Sequence, residues 1–412
     1  GRYTCRDFGK NYLTSVDENG IIFTNGDNDT FPLWYAQETE GYRTDVRVCN
    51  LSYLQTDWYV NQMKSQAYES DPLPISMEES QYGNKKREYA YILDRVDYPV
   101  SVKMAMDYFL SDDERTKTIP GYGKINHLPT GELFIDIDKE KILKSGIVPK
   151  GYEDKIVDRI DLSFKDKNTL ILNDLAIIDL LSTNAETGWK RPVYFATTVD
   201  PSFFTETDKY FMRTGMAYEV VPVKLENTPG RYQVNTDKMY DNVMNKFVWG
   251  GIDVNPDIYL DETIRRMCYS YRIMFIDLID QLIQEGKTDK ALKALDYCME
   301  KIPGDVVPHN YISLQLAMDY YFLKQNEKGK ALLEKIADSA IEYVTWINSL
   351  DNNKKRSVQR DYYYNERALA EQAIPMFYRF GDEESGKKYL EKAALAGVDI
   401  NRYFKIDTSK TN

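Results

Sequence analysis

Three observations predict an N-terminal α/β layer domain with a partly parallel sheet, followed by a C-terminal all-α domain. Up to about residue 250, short β-rich runs alternate with helical stretches. From about residue 255 onward the strand signals vanish and apolar residues recur at helical spacing. The length, 412 residues, exceeds what one ordinary core serves, so two domains are expected. They are placed at 1–250, an α/β domain carrying the stretch "TNGDNDTFPLWY", and 251–412, a TPR-like α-helical domain.

The first half reads as follows. "GIIFTN" (20–25) is a short β-branched and aromatic run closed by turn residues. "FPLWYAQETEG" is a helix, with Asp29 or Thr30 as its cap, Pro32 in the first turn and Gly41 at the stop. "DVRVCNLSYL" (45–54) is the next strand. Strand, helix and strand in close succession form a βαβ unit, because parallel strands need such a crossover. Further strands are expected at "ELFIDI" (132–137), "RPVYFATTV" (191–199) and "MAYEVVPV" (216–223), with a strong helix at "TLILNDLAIIDLLSTN" (169–184). The charged, proline-containing stretch 70–89 has no clear period and reads as a solvated loop or insertion.

In the second half, "IRRMCYSYRIMFIDLIDQLIQEG" sets Ile264, Met267, Tyr271, Met274, Phe275, Leu278 and Leu282 on one helical face. Gly286 ends that helix, and "KTDKALKALDYCMEKIP" returns as a second one stopped by Pro303. Residues 308–344 and 360–397 repeat the helix, polar turn, helix pattern. The result is a TPR-like array of three hairpins over about 258–400, although the strict repeat of roughly 34 residues is missing. A plain helical bundle is the alternative. Stacked hairpins leave a groove, and Tyr311, Tyr320, Tyr321, Tyr362, Tyr363 and Tyr364 are the candidates to line it, since tyrosine joins apolar area to a polar tip.

Composition narrows the function. A net charge of −12 argues against nucleic acid, whose phosphates call for clustered Lys and Arg. The longest apolar candidate, 169–181, is broken by Asn173, Asp174 and Asp179, so it falls short of the roughly 20 residues that span a bilayer. The start, "GRYTCRDFGKNYL", has neither an initiator Met nor a signal peptide and reads as a cut within a longer protein. The four cysteines are widely separated, leaving only a Cys268–Cys298 bridge between neighbouring helices to consider. The two histidines, His127 and His309, stand in no ligand or nucleophile spacing. No metal, no cofactor and no catalytic residue is therefore assigned.

The densest polar cluster is "NGDND" at the end of the first strand, where ligands of α/β sheets collect. Asn25, Asp27, Asn28, Asp29 and Thr30 are followed at once by Trp34 and Tyr35, with Arg43, Asp57 and Trp58 close in sequence. Asp27 and Asp29 would repel a phosphate but suit cations, amines or sugar hydroxyls, and the aromatic residues offer a face for a sugar ring. Three readings stand side by side. Asp29 caps the helix while Asp27 and Asn28 make a turn; or the loop lines a pocket for a glycan, peptide or partner; or Asp27-Asn28-Asp29 is the DxD metal motif of nucleotide-sugar transferases. DxD arises by chance about three times in such a chain, and Asp136-Ile137-Asp138 is another. Arg43 beside Asp45 reads as an ion pair closing the crossover rather than an anion site.

The stretch 21–62, "IIFTNGDNDTFPLWYAQETEGYRTDVRVCNLSYLQTDWYVNQ", resembles a family of bacterial membrane proteins of unknown function related to protein O-mannosyltransferases. Segments 136–158, 190–199 and 215–222 are similar as well, so the resemblance covers most of 20–225, and the helical tail is a looser match to the TPR-like ends of such proteins. The resemblance implies a parent with a multi-span region of the GT-C glycosyltransferase type, using a lipid-linked sugar donor and an upstream acidic residue. On that basis this segment is a non-catalytic accessory or binding region on the periplasmic side of the bacterial inner membrane, attached through upstream transmembrane segments. Its partners would be that transmembrane region and an acceptor protein or glycan. The alternatives are a stand-alone TPR-type scaffold and a soluble DxD metal-dependent glycosyltransferase. The family motif maps onto Asn25 through Pro32, Trp34, Tyr35, Asp57 and Trp58.

Overall fold

Strand β1 (Ile21–Thr24) is buried at all of its positions, as a run of apolar and β-branched residues must be when a strand lies between parallel neighbours. The computed structural model describes residues 2–121, 123–358, 360–398 and 400. Residues Arg2–Gly250 form one compact unit, and the chain from Gly251 onward forms another.

In the first unit, helix α1 (Arg2–Thr14) leads into β1, α2 (Asp27–Glu40) crosses over, and β2 (Arg47–Asn50) returns parallel, with Ile21 opposite Arg47 and Thr24 opposite Asn50. This is the expected βαβ unit. Strand β3 (Val193–Ala196) flanks β1 on its other side, also parallel. β4 (Phe211–Arg213), β5 (Ala217–Val220) and β6 (Gln233–Val234) complete a mixed sheet in the order β6-β4-β5-β3-β1-β2. Two three-stranded sheets, besides a two-stranded pairing of Thr118–Ile119 with Gly123–Lys124, lie within the same unit. One pairs Val100–Ser101, Glu132–Asp136 and Arg159–Ser163; the other pairs Thr169–Ile171, Tyr89–Ile92 and His127–Leu128.

Several details correct the sequence reading. The crossover helix starts at Asp27 rather than after Asp29 or Thr30, so Pro32 sits one turn further in. There it cannot donate to the Asn28 carbonyl, and its own carbonyl meets α1 so closely that a Cβ on Gly9 would lie 2.3 Å away. α1 itself was not anticipated. The run 169–184 divides into the strand Thr169–Ile171 and helix α4 (Leu172–Glu186), which is apolar and buried nearly all round. The stretch 70–89 is no solvated loop: Leu73, Ile75, Met77 and Tyr82 are core residues. The Asp179 carboxylate receives the amide and hydroxyl of Ser76, both at 2.6 Å. Arg87 is buried because carbonyls of Gln81, Phe109 and Ser111 and the Asp112 carboxylate satisfy its guanidinium.

In the second unit α5 (Glu262–Gln284), α6 (Thr288–Lys301), α7 (Tyr311–Phe322), α8 (Asn326–Ser349), α9 (Arg360–Arg379) and α10 (Glu383–Leu395) follow one another. Packing runs mainly between helices close in the chain: α5 with α6 and α7, α8 with α7 and α9, and α9 with α10. Arg272 of α5 is fully buried and donates to the carbonyls of Ile302, Val307 and Pro308, which holds the α6–α7 connection against α5. Cys268 and Cys298 are buried free thiols, not a bridge. Among the described residues no helix is long and apolar enough to cross a membrane.

Candidate functional site

The carboxyl ends of β1, β2 and β3 meet at one edge of the large sheet, and the polar stretch after β1 is what joins them. Gly26 is the N-cap of α2 in extended geometry and has no side chain to satisfy the first helical amides. Asp29, at the third helical position, reaches back instead. Its carboxylate accepts the Gly26 amide at 2.8 Å and the Asn25 amide at 3.3 Å, and its other oxygen takes the Thr198 hydroxyl, just beyond β3, at 2.8 Å. The Thr198 hydroxyl also lies 3.1 Å from that of Tyr12 on α1. Burial pushes the Asp29 carboxyl above its ordinary range, against the hydrogen bonds from Thr198, Asn25 and Gly26 that favour the anion.

Asn50 makes the matching connection from β2. Its amide donates to the Thr30 hydroxyl at 2.9 Å and the Asn25 carbonyl at 3.2 Å, while Thr30 donates to Thr24 at 2.7 Å. The Asn25 side chain accepts the Ser52 hydroxyl at 2.9 Å. Asn25, Asp29 and Thr30 are thus occupied internally, and Asp29 caps α2 from inside the helix. The Asp27 and Asn28 side chains are exposed and make no hydrogen bond to the described residues. Two residues apart on a helix, Asp27 and Asp29 point to different sides, one into solvent and one into the core.

Beside Asp27 and Asn28 runs a strip of rings. Phe31 and Trp34 on α2 lie 5.8 Å apart, Trp34 stacks within 17° of Tyr53 at 6.2 Å, and Tyr53 lies 6.2 Å from Trp58. Phe31, Tyr53 and Trp58 are 46%, 38% and 55% exposed, while Trp34 is half-buried between its neighbours. The strip is propped from beneath by Tyr59, which is buried and accepts the Asn50 amide at 3.0 Å. The helix that carries Trp58, α3 (Asp57–Met63), is anchored by Asp57, whose carboxylate accepts amides from Trp58 and Asn84.

Two expected site residues stand apart. Tyr35 is exposed on α2 but stacks with none of these rings. Arg43 precedes β2 and so lies at the opposite end of the parallel strands. It is bound to Asp45 at 2.8 Å and to the carbonyls of Leu13, Val16 and Asp17, tying the end of α1 to the crossover. Phe31 belongs to the motif that the resemblance marks but is not among the expected ligand-contact residues, and neither are Tyr53, Asn50 and Thr198. The first three fall inside the 21–62 block, whereas Thr198 carries no local signal.

Of the groove tyrosines, Tyr311 is exposed and lines a cavity on the helical unit. Tyr320 is instead buried, its hydroxyl donating to Asp296 at 2.9 Å, and Tyr321 stacks flat on Phe380 at 3.9 Å, so both serve helix packing. Tyr363 and Tyr364 line a separate, smaller pocket with Asn348 and Arg356. The Tyr362 side chain lies outside the described residues.

A family model described as TMEM260-associated domain 2 matches residues 5–238, a span that takes in the large sheet, the polar junction and the aromatic strip. No curated protein and no solved structure matches the chain.

Proposed function

The chain belongs to the TMEM260-associated domain 2 family, and from that premise we propose that it is the non-catalytic binding region of a membrane-embedded glycosyltransferase-like protein. It acts on the periplasmic side of the bacterial inner membrane, beside its parent's transmembrane part, and holds a glycan or a glycan-bearing acceptor. The observation that carries the reading is the exposed strip Phe31–Trp34–Tyr53–Trp58 flanked by Asp27 and Asn28, polar residues not engaged elsewhere. Ring faces cover the C–H face of a sugar, and a carboxylate and an amide at its edge take the hydroxyls. The DxD reading is disfavoured because Asp29 is committed to two backbone amides and Thr198, and cannot chelate a metal together with the outward Asp27.

Titrating the chain with linear mannose, glucose and galactose tetrasaccharides, followed by tryptophan fluorescence, tests the proposal. Saturable quenching by at least one sugar, lost in Trp34→Ala and Trp58→Ala, is expected. Quenching by none, or quenching that survives both substitutions, would overturn it. Turnover of a nucleotide sugar with Mn²⁺, abolished by Asp27→Ala, would overturn the non-catalytic assignment.

A further inference from the structure

We propose that the cleft on the helical unit binds an extended peptide segment through a carboxylate of that segment, seated on Arg265. This site is independent of the strand-end strip. The cavity, about 900 Å³, is bounded by α5, the start of α7, α8 and α9. It lies at the upper end of the roughly 300–1,000 Å³ typical of ligand sites and is larger than one small ring needs.

Arg265 sets the chemistry. Its Nε is shielded from solvent and has no hydrogen-bond partner, and no carboxylate of the described residues pairs with its guanidinium. A guanidinium left this way is an incomplete arrangement, since a planar fork of donors matches a carboxylate. The other basic residue lining the cleft, His309, supplies no charge: burial pushes its pKa down to about 3. Arg265 is therefore the cation an incoming acid would meet.

Across the cleft Glu366 also lacks an ion-pair partner among the described residues, and burial raises its pKa. Tyr269 lies within electrostatic reach of both Arg265 and Glu366. With Glu342 also in the lining, a polyanion such as a nucleotide would be repelled, while one carboxylate with N–H donors nearby would not. An extended main chain has that composition. Its amides can donate to Glu366 and pair with the Asn310 and Asn365 side chains, each both donor and acceptor. Trp346 and Tyr311, both well exposed, give apolar walls for its side chains.

The test uses dye-labelled nonapeptide libraries, acetylated and amidated at their ends, with the central residue fixed as Glu, Gln or Lys and the rest randomised. Fluorescence polarisation with the full chain should show the Glu library binding about ten-fold more tightly than the Gln library. Arg265→Gln should erase that difference, and rising salt should shrink it in the unaltered chain, a readout that needs no variant to fold. Equal binding of the three libraries, no saturable binding, or a Glu preference that survives Arg265→Gln would overturn the proposal. Displacement of the Glu library by a neutral tetrasaccharide at the same concentration would overturn it in favour of a glycan cleft.

Discussion

The Asp29 carboxylate accepts the Thr198 hydroxyl at 2.8 Å, joining the first turn of α2 to the loop after β3 across 169 residues of chain. Together with the amides of Gly26 and Asn25, this contact makes Asp29 a structural hub and leaves Asp27 and Asn28 as the outward groups. Asp29→Ala should cost about 1–2 kcal/mol of stability, because it removes the carboxylate that caps α2 and ties it to Thr198. Thr198→Val removes one partner and should cost about 1 kcal/mol. Urea unfolding of the variants checks the order, and an Asp29→Ala chain as stable as the parent would contradict the hub.

Trp58 and Tyr59 are adjacent in sequence and opposite in role. Trp58→Ala removes an exposed ring and should leave stability within about 0.5 kcal/mol of the parent while abolishing sugar quenching. Tyr59→Phe removes the buried acceptor of the Asn50 amide and should cost about 1 kcal/mol. Reversal of the two effects would show that the strip is core rather than surface.

At the other end of the sheet the half-buried Lys238 meets the buried Glu219 and Tyr194 and the half-exposed Asp17. Its ammonium lies 2.9 Å from Glu219, 2.5 Å from Asp17 and 2.9 Å from the Tyr194 hydroxyl. Lys238→Met leaves the Glu219 carboxylate buried without its cation and should cost about 3–5 kcal/mol, whereas Lys238→Met with Glu219→Gln should recover much of that loss. Additive losses in the double variant would show that the two charges do not act as a pair.

These contrasts also explain what could be read from the sequence. The β1–α2–β2 unit was legible because its signals are local: an apolar run, turn residues, and a glycine at 41 in left-handed geometry ending the helix. The helices of the second half were legible through their spacing. α1 was not, because Asp7 and Asn11 interrupt its apolar face. Both are buried, bonded to the backbone of Gly250 and Val248, and that demand becomes visible only when the unit is assembled. The site shows the same division. "NGDND" marked the place, but which of its side chains face inward depends on Thr198 and Asn50, and Arg43 went astray because nearness in sequence hid the length of β2. In the cleft, Tyr311 was found by residue type, whereas Arg265 and Glu366 matter only because helices distant in sequence leave them without ion-pair partners among the described residues.

Asp319 on α7 gives the helical unit a definite pH dependence. Its carboxyl is buried, with one oxygen accepting the Gln315 amide at 2.8 Å and the other having no partner. Burial, and then the nearby Asp280 charge, push its pKa up to about 7. In the unfolded chain the same group titrates near about 3.9. Between those values the native state holds a proton that the unfolded state has released, so stability falls as pH rises. The contribution is complete below about pH 4, is lost as pH climbs through about 7, and is flat beyond. With about 1.36 kcal/mol per pH unit, the whole loss amounts to roughly 4 kcal/mol. His309 acts in the opposite sense: held near 3 by burial, it lowers stability as pH falls below about 6.5, because only the unfolded chain takes up its proton. The two slopes overlap and partly cancel between about pH 4 and 6.5, which is why a variant is needed to separate them. Asp319→Asn keeps the shape and cannot ionise. It should match the parent near pH 4 and exceed it by a few kcal/mol at pH 8, measured by urea unfolding across that range. A parent-minus-variant difference that stays constant from pH 4 to pH 8 would mean that Asp319 is ionised in the native protein throughout.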